Sequence, residues 1–229
     1  MTLNAVVVMD YQNVHLTAHD VFDRHGGKHE ALIHPRRFAE VAIQRRNKTQ
    51  RDGHPAALLK EVIAFRELPH SHYDWEQNRR CSAQARQWRL DGATVVLRDL
   101  KYSFKLTAEG TPDMDACGHK VPTGPGREKG IDVLVALTCL HQALLPDVAL
   151  VILASRDTDL VPVLNTLIDM RREDPTVAKV ETVSWFNKNA RREGNLSGGS
   201  LRPDRDRRVW NTNLDRRCFE ASLDRNDYS

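Results

Sequence analysis

The run AVVVM at residues 5–9 is apolar at every position and rich in β-branched side chains, and Asp10 ends it abruptly. A segment this short and this apolar is the mark of a strand buried on both faces, as in a parallel sheet covered by helices. A second such run, VALVILA at 148–154, is the longest unbroken apolar stretch and leads into Ser155, Arg156 and Asp157. Two buried strands that each run into an aspartate restrict the architecture and single out one edge of the sheet, because ligands of open α/β sheets bind beyond the carboxyl ends of the strands.

The rest of the chain alternates in the same manner. Residues 34–47 place Phe38, Val41 and Ala42 at helical spacing behind Pro35, and 61–68 has the pattern of a strand. Residues 74–90 lack Gly and Pro and put Cys81, Ala85 and Trp88 on one helical face, and 93–100 follows as a strand. Helices at 131–145 and 160–171 flank a strand at 149–154, and 179–186 is the last strand. This order predicts an α/β fold, a three-layer α/β/α sandwich with a mainly parallel central sheet, in one domain over 1–186. The Gly/Pro-rich stretch 107–127, with its PTGPG segment, is expected to be a mobile surface loop. Residues 187–229 are expected to form a charged linker and tail, with GNLSGGS as the linker and Trp210 and Phe219 as anchors.

Composition restricts function only coarsely. With 40% hydrophobic and 28% charged residues among 229, the chain can bury a core. No apolar run approaches a membrane span, and the N-terminal MTLNAVVVMDYQ carries no basic leader, so a cytoplasmic protein without a membrane partner is expected. Cys81, Cys117, Cys139 and Cys218 form no CxxC pair, which argues against a disulfide framework or a thiolate zinc site. The formal charge of +3 arises entirely after residue 186, which permits nucleic-acid binding without requiring it. A homo-oligomer is compatible with the sequence, which does not fix the oligomeric state.

If the two apolar strands are central and parallel, Asp10, Asp157 and Asp159 reach the same crevice, and Asp132 opens a helix that can face it. Each of Asp10, Asp132 and Asp157 also stands where an aspartate caps a helix or turn. Asp159 is not needed for that role, although it can complement a helix dipole. Several carboxylates held together repel unless a cation neutralises them, and all-oxygen ligation suits Mg2+ or Mn2+.

The segments MDYQNV (9–14), EKGIDVLVAL (128–137) and SRDTDLVPVL (155–164) resemble, in order and spacing, the three signature segments of the NYN domain, a branch of the PIN-like nuclease superfamily. The resemblance extends over residues 4–186. It implies a PIN-like fold and metal-dependent RNA cleavage, with Asp10, Asp132, Asp157 and Asp159 as catalytic and metal-binding residues. It also implies that Asn13 orients Asp10 or a phosphate and that Lys129 lies near the phosphate. The third segment departs from the family pattern at Arg156, where Gly is usual, and at Leu160, where an aromatic is usual. Arg156 is expected either to bind phosphate or to obstruct the site.

For substrate contact, HSHYDWEQNRR at 70–80 offers Tyr73, Trp75, Arg79 and Arg80, the aromatic and cationic types that hold single-stranded RNA. The same residues admit packing of Trp75 on the core and solvation of the arginines. Two other functions compete. A non-catalytic RNA-binding or adaptor protein would keep the fold without the chemistry. A zinc hydrolase would use His70, His72 and Asp74, the first three positions of an HxHxDH motif whose last histidine is here Trp75. A dehalogenase-like phosphatase is disfavoured, because position 12 is Gln where a second carboxylate is needed.

Overall fold

The structure, a computed structural model, describes residues 2–50, 53–204 and 206–228. Strand β1 (Leu3–Asp10) is the central element, and its burial explains its composition: residues 5–10 are all buried. Ala5, Val7 and Met9 face one layer of helices, and Val6 and Val8 face the other, the alternation that a strand enclosed on both sides must show. Helices α1 (Tyr11–Phe22), α2 (Pro35–Thr49) and α3 (Trp75–Leu90) lie on the first face with their apolar stripes inward. Helices α4 (Ile131–Ala143) and α5 (Val161–Glu173) cover the second.

The remaining strands are β2 (Ala57–Leu68), β3 (Thr94–Asp99), β4 (Leu150–Ala154), β5 (Lys179–Trp185) and β6 (Asn211–Leu214), all parallel, in the order β3-β2-β1-β4-β5-β6. The protein is thus an α/β/α three-layer sandwich around a six-stranded parallel sheet. Connections after β1 proceed outward through β2 and β3, and the chain then returns to β4 on the other side of β1. The switch point lies between β1 and β4, whose carboxyl ends are level: Met9 pairs with Ala154. A crevice opens at such a point because the flanking connections diverge to opposite faces.

Two elements differ from the sequence reading. Helix α1 follows β1 directly, although 11–22 is not among the predicted helices; Tyr11, Val14, Ala18, Val21 and Phe22 form its buried stripe. The segment 187–229, expected to be a linker and tail, instead completes the domain. After the short helix α6 (Ala190–Glu193), it adds β6 to the sheet edge and places α7 (Arg216–Ser222) against α2. The physical reason is apolar cover: Phe219 stacks on Phe22 at 5.0 Å and meets Trp185 edge-on at 6.1 Å. Beyond α7, the carboxylate of Asp224 accepts from Trp88 Nε1 at 2.6 Å and from the Tyr228 hydroxyl at 2.7 Å.

The Gly/Pro-rich stretch after β3 is a surface arm folded back on itself by antiparallel bridges, Lys101 with Arg127, Phe104 with Pro122, Leu106 with Pro112 and Met114 with Lys120, and by backbone hydrogen bonds between them. No helix of the described residues is long and apolar enough to cross a membrane.

Candidate active site

Asp10 ends β1 and is 4% exposed. One of its oxygens accepts the backbone N–H of Asn13 at 3.2 Å, capping α1, and the other accepts from the Ser155 hydroxyl at 3.0 Å. Ser155 in turn accepts the N–H of Asp157 at 3.1 Å, which ties the end of β1 to the loop after β4. Asp157 caps a single 3-10 turn (Thr158–Leu160) by accepting from Asp159 N at 2.9 Å. Capping and convergence therefore coexist, because a capping carboxylate uses only part of its accepting capacity. Asp132 does not cap. It lies in the first turn of α4, whose N-cap is Gly130 at φ 83°, a left-handed conformation favoured by glycine.

Electrostatics show that these residues share one environment. Burial pushes Asp10 from its ordinary value near 3.8 up to about 6, with Asp132 and Asp157 adding repulsion against the hydrogen bonds from Asn13 and Ser155. Asp132 is raised by desolvation and by the charges of Asp157 and Asp159. Two further carboxylates belong to the group. Glu128, just before α4, is pushed up to about 7 by desolvation and by Glu67, Asp10, Asp132 and Asp157. Glu67, near the end of β2, is raised by desolvation, and the Gln12 amide, with its nitrogen turned inward, donates to it. Both lie at the sheet edge already marked by Asp10. The signal for Glu128 was its place in the EKGIDVLVAL segment, and for Glu67 its position at the end of a strand beside β1.

A cleft of about 240 Å3 lined by Asp10, Gln12, Asn13, Asp20, Glu128 and Asp157 opens over this group. Among the described residues, no Lys, Arg or His nitrogen forms an ion pair with Asp10, Glu67, Glu128, Asp132, Asp157 or Asp159. The oxygens are nevertheless spaced too widely for a closed cage, since among the described residues the trio of ligand atoms within 4.8 Å of one another lies elsewhere, between the arm and the segment preceding α3. An open set of carboxylates with room for water fits Mg2+ or Mn2+, which retain several waters and take one or two carboxylates directly.

The residues expected to contact phosphate lie around this group with different partners. Asn13 Oδ1 accepts the backbone N–H of Arg156 at 2.9 Å, so it holds the loop after β4. The Arg156 guanidinium does not pair with the carboxylates; it lies beside Gly199, where an added Cβ would be 3.3 Å from Nη2. Gly199 also lines a larger cleft of about 890 Å3 with Phe186, Arg202, Arg207 and Arg208. Lys129 is exposed, next to Glu128.

Trp75 opens α3 and is 61% exposed, with the Arg79 guanidinium 5.6 Å from its ring centroid. Arg80 is exposed and paired with Glu76 at 3.3 Å. Tyr73 is less available than expected, because its ring packs against His70 at 4.9 Å and Tyr102 at 4.8 Å. The zinc-hydrolase trio does not assemble. Asp74 caps α3 by accepting from Gln77 N at 3.3 Å, and His70 Nδ1 accepts the N–H of His72 at 3.1 Å.

Burial of Asp10 gives a stability signature. Its folded pKa lies above that of an unfolded aspartate, so its contribution is most favourable at low pH and is lost as pH rises through about 6. Asp10→Asn, which cannot ionise, is therefore expected to stabilise the metal-free protein at pH 7 by about 1 to 3 kcal/mol, at 1.36 kcal/mol per pKa unit. The advantage should disappear near pH 4. Urea unfolding at both pH values checks this, and equal stability of variant and wild type at pH 7 would remove the buried charge from the account.

No family model and no curated protein matches the chain. Among solved structures, a protein of unknown function from Vibrio parahaemolyticus RIMD 2210633 is similar over 79% of this chain and 80% of its own, at 19% identity and a TM-score of 0.42. That likeness is too distant to bear on function.

Proposed function

We propose that this protein is a divalent-metal-dependent ribonuclease that cleaves single-stranded RNA at the acidic cleft between β1 and β4. The observation that carries this reading is the gathering of Asp10, Glu128, Asp132 and Asp157 at the switch point without an ion-paired basic partner among the described residues. The resemblance of the three segments that contain these residues to the NYN domain supports RNA as the substrate. Asp10, Asp132, Asp157 and Asp159 would hold Mg2+ or Mn2+. Once bound, such an ion activates water and offsets charge on the phosphodiester.

The chain's own groups prepare the site. Ser155 and the Asn13 N–H fix the Asp10 carboxylate, while Asn13 Oδ1 fixes the loop that presents Asp157. Trp75 and Arg79 supply an exposed aromatic face and a cation on the segment leading from the carboxyl edge into α3, where an unpaired base can stack. Arg156, without a carboxylate partner among the described residues, is available to a phosphate.

The test is incubation of labelled single-stranded RNA with the purified protein in Mg2+, in Mn2+ and in chelator. Fragments are expected only with metal. RNA that is bound but intact under all three conditions would contradict the nuclease reading and favour the adaptor. Trp75→Ala with Arg79→Ala is expected to weaken RNA binding and to flatten its salt dependence by about one counterion. A filter-binding series from low to high salt reads this, and an unchanged slope would place the RNA elsewhere.

A further inference from the structure

We propose that His72, Asp115 and His119 form a zinc site that clips the surface arm to the segment preceding α3. These residues lie outside the acidic cleft, and only His72 was singled out from the sequence, with different partners. Asp115 Oδ2 is 3.5 Å from His72 Nε2, and Asp115 Oδ1 is 3.6 Å from His119 Nδ1. The imidazole centroids are 3.5 Å apart, and one ligand atom from each of the three residues falls within 4.8 Å of the others. Ligands at zinc bond lengths of about 2.0 to 2.1 Å define a tetrahedron with edges of roughly 3.3 Å. The two separations, one to each Asp115 oxygen, are close to that edge, and with a single oxygen as ligand all three ligand atoms lie within 4.8 Å of one another, so side-chain movement of about 1 Å would admit the ion.

The ligands are held from behind, as metal-binding side chains usually are. Asp115 Oδ1 accepts the backbone N–H groups of Cys117 and His119, both at 2.8 Å. Gly118, at φ +79°, allows the tight turn that brings His119 back to Asp115. The His72 backbone is fixed by its N–H donation to His70 Nδ1. Two imidazoles and a carboxylate suit zinc, whereas magnesium and manganese prefer the all-oxygen set of the acidic cleft. All three residues are exposed, which leaves the fourth position to water.

The arm has reason to need such a clip. It has little apolar cover of its own, with Leu106 64% and Met114 54% exposed, and is held across its width by backbone hydrogen bonds such as Lys105 N–H to the Val121 carbonyl at 2.9 Å and Asp113 N–H to the Lys105 carbonyl at 2.8 Å. Closing a long loop with a metal offsets the chain entropy that otherwise favours its opening. The arm leads from the carboxyl end of β3 to Glu128 and α4, so ordering it also orders one approach to the cleft.

The experiment loads the full-length protein with zinc, removes excess by gel filtration and measures bound metal. Cobalt(II) then serves as a spectroscopic probe of tetrahedral coordination. Wild type is expected to retain about one zinc per chain, as a three-ligand site with one water would. His72→Ala and His119→Ala are each expected to lower zinc affinity by about 100-fold or more, since even removal of an outer partner costs 10- to 100-fold. Zinc should protect the bonds of the arm from protease in wild type and not in the variants. Asp157→Asn should leave zinc retention and the cobalt spectrum unchanged, which separates this site from the cleft. Absence of retained zinc in wild type, or unchanged retention in His119→Ala with an unchanged circular dichroism spectrum, would overturn the proposal.

Discussion

Asp157→Asn is expected to slow metal-dependent RNA cleavage by about 100-fold or more, the equivalent of about 3 kcal/mol of lost transition-state stabilisation. Asparagine can still accept the Asp159 N–H that Asp157 now accepts, so the 3-10 turn and the fold should persist. The substitution removes one negative charge from a group that already repels itself, as the raised values of Asp10, Asp132 and Glu128 show. The loss should therefore appear in the rate and in metal affinity, without loss of stability. Single-turnover cleavage at saturating RNA, with Mn2+ varied, separates these terms. A rate within threefold of wild type at low and high Mn2+ would exclude Asp157 from the chemistry.

The second large effect concerns the buried pair of Arg46 on α2 and Glu181 on β5, each 1% exposed. Arg46 donates through Nε at 2.8 Å to one carboxylate oxygen and through Nη2 at 3.0 Å to the other, and Nη1 donates to the Pro55 carbonyl at 3.0 Å. Removing one member of such a pair costs about 3 to 5 kcal/mol, because the other charge remains buried without its partner. Arg46→Ala is expected to fall in this range; at the lower end if Lys179, 2.8 Å from Glu181, takes over part of the compensation. Replacing both residues, as Arg46→Met with Glu181→Leu, should recover most of the loss, since no buried charge is then left over. Urea unfolding of the single and double variants checks both statements. A single variant within 1 kcal/mol of wild type would show that the pair contributes little.

The fold was legible where burial is uniform. β1 and β4 are enclosed on both faces and therefore read as unbroken apolar runs, and α2, α3, α4 and α5 were equally visible, whereas α1, which follows β1 without a turn and whose stripe is interrupted by polar residues, was not. β6 was not, because an edge strand needs only alternate inward residues, and Asn211–Leu214 buries just Thr212 and Leu214. Its place depends on pairing with β5, on Phe219 of α7 covering Trp185 and on contacts of α7 with α2, which are long-range and leave no local trace in a charged segment.

The acidic site followed the same division. Asp10 and Asp157 were conspicuous because they terminate apolar strands. Glu67 and Glu128 became members of the group only through the order β2-β1-β4 and the return of the arm to α4. Arg156 could be placed by sequence beside the proposed ligands, but its direction depends on Gly199, far along the chain. His72, Asp115 and His119 were likewise invisible as a group, since the folding of the arm brings them together.

The central claim is that the cleft between β1 and β4 takes a hard divalent cation. Carboxyl 13C chemical shifts followed against pH, with and without Mg2+, test it most directly. In the absence of metal, Asp10 is expected to titrate near 6 and Glu128 near 7. Saturating Mg2+ should lower both midpoints by about 1 unit or more, because a nearby cation favours the charged form. Midpoints that do not move at any Mg2+ concentration would contradict a cation in this cleft, and with it the proposed nuclease.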